Sequence, residues 1–135
     1  TMLRLAKERS ELRIVDDQTG SPTTSECIAQ ATAQILAQVA APDGGGLAGR
    51  SGVYHLTCSG ATTWFGFAKA FLSRQTVCPR LTPIATSEYP VPARRPMNSV
   101  LSCERMAETF GVRMPAWAEA LDLVLETLAE GGPRG

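Results

Sequence analysis

Two adjacent guanidiniums, Arg94 and Arg95, stand on a segment stiffened by Pro90, Pro92 and Pro96. Planar forks held on a backbone with little entropy left to lose suit the oxygens of a diphosphate better than flexible lysines would. The residues alone fit a solvated basic pair at least as well. They also fit a polyproline II ligand for an SH3-type partner, although such ligands normally lie in disordered tails rather than between folded elements. A second candidate is Asp17-x-x-Gly20-x-Pro22-Thr23, where a turn meets a helix N-terminus and can present amides and hydroxyls to an anion or a sugar. An ordinary strand-to-helix connection explains those residues just as well.

Other chemistry fails on context. Gly44-x-Gly46-x-x-Gly49 has the letters of a dinucleotide fingerprint, but that motif works as a turn leaving a strand and opening a helix. Here the glycines follow a helical stretch and precede an apolar run, so a plain loop is expected. A Tyr-x-x-x-Lys pair, in which the lysine lowers the phenol pKa so that the tyrosine can protonate a reduced carbonyl, is missing: four positions after Tyr54 stands Cys58, and four after Tyr89 stands Ala93. Cys27, Cys58, Cys78 and Cys103 lack the close pairing of a zinc site and read as free thiols. His55, the single histidine, has no second ligand or catalytic partner at a useful spacing. No metal site and no catalytic residue are expected in this chain.

Lysine plus arginine equals aspartate plus glutamate at 13 each, so no broad field gathers nucleic acid or anionic lipid. The apolar stretches are too short to cross a bilayer and no signal region opens the chain, which makes a soluble, cytoplasmic protein the expectation. The 135 residues suffice for one ordinary domain, or for a piece of a larger one.

The elements that must position these residues follow from periodicity. Residues 2–9 read as a helix cut at its start, and Leu12 to Val15 as a short strand stopped by a turn over Asp16 to Gly20. Thr23-x-x-Glu26 reads as a capping box opening a helix from about Thr24 to Val39, with Ile28, Ala31, Ile35 and Val39 on one stripe. After a loop over residues 42–46, Gly52 to Cys58 reads as a strongly apolar strand. A turn at Ser59 to Thr62 leads to a helix bearing Trp64, Phe67, Ala68, Phe71 and Leu72. Leu81 to Ala85 is a further short strand, the prolines of 90–96 force an extended path, and Ser99 to Leu101 is a brief extension. Ser102 caps a helix to Phe110 with Gly111 as its stop. Pro115 opens a last helix striped by Trp117, Leu121, Val124, Leu125 and Leu128. The fold class is α/β, with about five helices and three or four short strands over 1–130 and a flexible tail over 131–135.

Taken in order, Asp17-Gln18-x-Gly20-x-Pro22-Thr23, then Gly52-Val53-Tyr54-His55-Leu56 with Ser59-Gly60, then Ala93-Arg94-Arg95-Pro96-x-Asn98-Ser99 resemble the C-terminal half of dTDP-4-dehydrorhamnose reductases. The likeness runs over about residues 1–128, down to Pro115-x-Trp117. It implies the substrate-binding portion of an extended short-chain dehydrogenase. The Rossmann half, with its fingerprint and its Tyr-x-x-x-Lys, would lie upstream. The whole enzyme would move a hydride from NADPH or NADH to the C4 ketone of dTDP-4-dehydro-L-rhamnose, giving dTDP-L-rhamnose. This part would hold the dTDP-sugar, bind no dinucleotide, catalyse nothing alone and tend to self-associate through the face the missing half covers. Arg95 would approach the diphosphate, with Arg94 and Asn98 next, and Gln18, Pro22 and Thr23 would border the sugar. Gly66 departs from the polar residue expected there. Non-catalytic relatives such as the regulatory subunit of methionine adenosyltransferase share this half and remain the alternative.

Overall fold

The computed structural model describes residues 2–41, 46–89 and 92–130. Among them are five α-helices and four short strands, which confirms the α/β class. The helices are α1 (Met2–Glu8), α2 (Ser25–Ala40), α3 (Trp64–Leu72), α4 (Glu104–Phe110) and α5 (Trp117–Glu130). The strands are β1 (Glu11–Val15), β2 (Thr19–Gly20), β3 (Thr62–Thr63) and β4 (Arg80–Ile84), and a 3₁₀ turn spans Thr86–Glu88. Two compact units share them, one over Thr1–Pro22 and Ala61–Val100, the other over Thr23–Gly60 and Leu101–Gly135.

The first unit is built on a parallel pair. β1 and β4 run side by side with Leu12 opposite Leu81 and Ile14 opposite Pro83, and α3 packs against both. Leu12, Leu72 and Ala6 are buried together, with Ile14, Phe71 and Leu81 packed around them. Placing Leu72 on the apolar stripe of its helix puts it at the centre of this core, and its side chain is entirely covered. The Thr63 side chain starts α3 by accepting from the Gly66 amide at 2.9 Å. Gly66 itself has a local reason, since a Cβ there would meet the Thr62 hydroxyl.

The second unit is helical. Ala31, Met106, Phe110 and Val112 form its core, with Ile35, Val39, Tyr54 and Leu56 against them. Tyr54 meets Phe110 edge-on with centroids 5.2 Å apart, and the Arg105 guanidinium lies 4.8 Å over the Tyr54 ring. A smaller cluster joins Cys27, Cys58 and Ala120. Gly111 ends α4 at φ 66°, the left-handed stop expected of it.

Several local expectations are corrected. The cap of α2 is Thr24, whose hydroxyl accepts from the Cys27 amide at 3.2 Å. Thr23 instead turns its hydroxyl oxygen to the Cys58 amide at 3.0 Å, so the capping box proposed from Thr23 and Glu26 does not form. Gly52 to Cys58 pairs in no ladder among the described residues. Its alternation is nonetheless that of extended chain, with Val53 77% exposed and Tyr54 and Leu56 in the core. Among the described residues its inward side chains meet the helical core. Thr19 and Gly20, read as the end of a turn, pair antiparallel with Thr63 and Thr62. Cys103 holds the N-cap position of α4 without a side-chain cap bond, while the Ser102 hydroxyl accepts from the Glu104 amide at 3.3 Å, and α5 starts two residues after Pro115. Ile28 and Leu128 lie exposed at the ends of their stripes. The loop over 42–45, Pro90 with Val91, and the tail over 131–135 lie outside the described residues.

Candidate functional site

The first unit contains a cleft of about 330 Å³ lined by Met2, Arg13, Ile14, Val15, Gln18, Trp64, Thr86, Tyr89 and Arg95. Its walls are the end of β1, the start of α3, the 3₁₀ turn and the proline segment. A volume at the low end of ligand clefts, apolar surface and a few converging polar groups are the ordinary makings of a binding site.

Backbone pairing brings Gln18 and Arg95 to this common wall. The Thr19 amide donates to the Met97 carbonyl at 2.8 Å and the Ser99 amide to the Thr19 carbonyl at 2.9 Å. The segment that follows Arg95 is therefore stitched to the residue after Gln18. Gly20 permits that approach, because a Cβ there would lie 2.9 Å from the Ser99 hydroxyl.

Thr86 organises the floor. Its backbone amide donates to both carboxylate oxygens of Asp17, at 3.0 and 2.9 Å, and its hydroxyl donates to one of them at 2.5 Å. The hydroxyl bond and then the amide bonds hold the Asp17 carboxyl below its usual value of 3.8. The Gln18 amide nitrogen donates to the same Thr86 hydroxyl oxygen at 3.0 Å, which fixes the buried Gln18 side chain in one orientation. Arg13 donates to Glu88 at 2.7 Å, while Glu88 also accepts from the Ala85 amide and steadies the 3₁₀ turn. One cleft arginine is thus neutralised. Among the described residues the ion pairs are Arg4 with Glu8 and Arg13 with Glu88, so Arg95 brings its charge to the cleft without an acidic partner.

Of the six residues singled out from the sequence, Gln18 and Arg95 line the cleft and the other four do not. Arg94 is exposed. Asn98 bridges to Thr19, and its side-chain oxygen accepts from the Val100 amide at 3.0 Å, a turn-forming role. Pro22 closes the first unit, and Thr23 belongs to the second. Sequence reasoning missed Arg13, Trp64, Thr86 and Tyr89. For Trp64 a signal existed: it is the first residue of its helix, where a side chain tilted toward the N-terminus projects beyond the helix end rather than onto a preceding turn.

The glycine motif opens no helix for a dinucleotide, and its Gly44 lies outside the described residues. Gly46 and Gly49 stand in a turn after α2, closed by the Arg50 amide on the Leu47 carbonyl, and no helix starts there. In the second unit, burial and then the neighbouring Cys27 push the Cys58 thiol up. Among the described residues no cluster of three or more His, Cys, Asp or Glu could hold a metal ion. No described helix is long and apolar enough to cross a membrane.

Residues 1–130 match the family model described as RmlD substrate binding domain. The chain belongs to this family. A dTDP-4-dehydrorhamnose reductase of Burkholderia thailandensis is 48% identical over 136 residues, an alignment covering 95% of this chain and 45% of that protein. The crystal structure of a dTDP-4-dehydrorhamnose reductase ortholog from Clostridium acetobutylicum superposes with a TM-score of 0.81 at 30% identity, over 95% of this chain and 42% of the other. The Bacillus anthracis reductase, solved in complex with NADP, gives 0.77 at 31% identity over 93% and 42%. The chain thus spans less than half the length of these relatives. Their names lend no support to the regulatory-subunit alternative.

Proposed function

We propose that this chain is the nucleotide-sugar-binding part of a dTDP-4-dehydrorhamnose reductase. The match of residues 1–130 to a substrate-binding family carries the reading. A cleft lined by both Arg95 and the anchored Gln18 supports it. The whole enzyme would reduce the C4 ketone of dTDP-4-dehydro-L-rhamnose with NADPH or NADH to give dTDP-L-rhamnose. Hydride donor and proton donor would come from residues outside these 135, and this part alone would bind no dinucleotide and reduce nothing. Its own contribution is to bind and orient. The Arg95 fork neutralises and fixes the diphosphate, so the sugar at its far end has fewer positions to sample.

The test is a pair of variants in the whole reductase. Arg95→Ala should remove charge-assisted hydrogen bonds worth about 1.5 to 3 kcal/mol, or about 10- to 150-fold in affinity, toward the lower end because Arg95 is exposed. The diphosphate is remote from the reacting carbon, so its contacts stay alike in ground and transition states and KM should rise with kcat little changed. Arg94→Ala should do less, and Arg95→Lys should recover only part. If Arg95→Ala and Arg94→Ala both leave KM for the nucleotide-sugar unchanged in a folded enzyme, the diphosphate role is refuted. Labelled protein titrated with dTDP-L-rhamnose gives an independent check, with resonance shifts expected over residues 17–23 and 93–99.

A further inference from the structure

Cys27 and Cys58 are 7% and 2% exposed and pack together with Ala120 inside the second unit. Both thiols are free, and they hydrogen-bond to each other. The backbone on either side pins them in that contact. Thr24 accepts from the Cys27 amide at 3.2 Å, and Thr23 accepts from the Cys58 amide at 3.0 Å. Beyond Cys58, the Ser59 amide donates to the Pro115 carbonyl at 2.8 Å and the Trp117 amide to the Ser59 carbonyl at 3.0 Å. Small hydrophobes of any kind would fill this space, but two touching thiols can also be joined. The cleft lies in the first unit and uses neither sulfur.

We propose that Cys27 and Cys58 form a reversible, peroxide-driven disulfide that locks the start of α2 to the segment leading into α5. Peroxide is small enough to enter during local opening. Cys27 is the less covered of the two. Burial and then the neighbouring Cys27 push the Cys58 thiol up, which makes Cys58 the poorer nucleophile and leaves the first attack to Cys27. The Cys27 sulfur attacks one peroxide oxygen: an S–O bond forms, the O–O bond breaks, and the departing oxygen takes the thiol proton and leaves as water. The Cys58 sulfur then attacks the Cys27 sulfur: an S–S bond forms, the S–O bond breaks, and hydroxide leaves with the Cys58 proton as a second water. Two thiols lose two electrons and one peroxide gains them. Because the second thiol already touches the first, this step outruns further oxidation of the sulfenic acid. The new bond closes a loop of about 30 residues and so constrains the unfolded chain. Cys103 is the rival partner. Its sulfur accepts from the Thr57 amide at 3.3 Å and lies 3.5 Å from the Thr57 hydroxyl. Successive side chains of an extended chain point to opposite faces, so Cys103 stands on the side of Thr57 and away from Cys58.

The experiment treats the whole reductase, reduced and freed of small thiols, with hydrogen peroxide, then denatures, alkylates and digests it without reductant for mass spectrometry. The expected product is a peptide pair linked through Cys27 and Cys58, which dithiothreitol separates. The melting temperature of the oxidised protein should rise by about 5 °C or more and return on reduction. Cys103→Ser should leave the linkage intact. In Cys58→Ala, dimedone should trap a sulfenic acid on Cys27, and in Cys27→Ala the oxidation of Cys58 should slow by about tenfold or more. Recovery of both cysteines alkylated, after an exposure that oxidises the exposed Cys78, would overturn the proposal in the wild-type protein, whatever the variants do. A bridge from Cys103 to either thiol would overturn it too, as would Cys27 driven to sulfinic acid with no bridge. A Cys27–Cys58 bridge that leaves the melting temperature unchanged would overturn the lock. None of these outcomes bears on nucleotide-sugar binding, so the proposed function stands or falls separately.

Discussion

Replacing Thr86 by valine removes one oxygen and keeps the shape of the side chain, which isolates what the hydroxyl does. It accepts from the Gln18 amide at 3.0 Å and donates to Asp17 at 2.5 Å. Asp17 is half-exposed, so water can take the place of its lost bond, which sets no magnitude. Gln18 is different because it is buried, and a buried donor left without a partner costs about 1 to 3 kcal/mol. Urea unfolding of Thr86→Val should show that loss at neutral pH, and Thr86→Ser should restore most of it. A second readout separates this account from general damage. Because the Thr86 hydroxyl is the leading cause of the lowered Asp17 pKa, Asp17 should titrate closer to 3.8 in the variant. The sign follows from linkage. A depressed carboxyl contributes stability above its unfolded pKa and loses it as pH falls through the folded value, so the gap between wild type and variant should narrow below pH 3.8. Unchanged stability together with an unchanged Asp17 titration in Thr86→Val would refute the reasoning.

Leu72→Ala empties a fully covered position between α3 and the β1–β4 pair, and thermal or urea unfolding should show a loss of about 2 to 5 kcal/mol. Gly111→Ala meets no atom within 4 Å but forces an L side chain to φ 66°. Circular dichroism melts should report a cost of about 1 to 2 kcal/mol from backbone strain, with Gly111→Asn milder. Among the cysteines, Cys78 is exposed and Cys27 and Cys58 are buried. A thiol reagent at neutral pH should label Cys78 first and Cys58 last, its raised pKa keeping it protonated. Equal rates for Cys78 and Cys58, followed by peptide mapping, would contradict that burial.

What the sequence determined by itself is local. The helices were legible because their apolar stripes and their stops lie within a few residues of the groups they serve, as with the Phe67–Leu72 face of α3 and the left-handed Gly111. Which of two adjacent threonines caps α2 was not legible. Thr23 is drawn away by the Cys58 amide, 35 positions along the chain, and Thr24 takes the cap. Gly52 to Cys58 was legible as apolar and extended but not as strandless, since a run of alternating apolar residues reads alike whether a helix or a strand lies beside it. The order of resembling motifs placed Arg95 and Gln18 among the residues that matter, and the fold brought those two to one cleft. The resemblance already ranked Arg95 ahead of Arg94 and Asn98, but only tertiary structure set Gln18 and Arg95 on one cleft wall, added Trp64 and Tyr89 to its lining, and tied Gln18 to Thr86 across 68 positions. A cleft is a property of surfaces meeting from distant segments, and no local spacing encodes which side chains will face it.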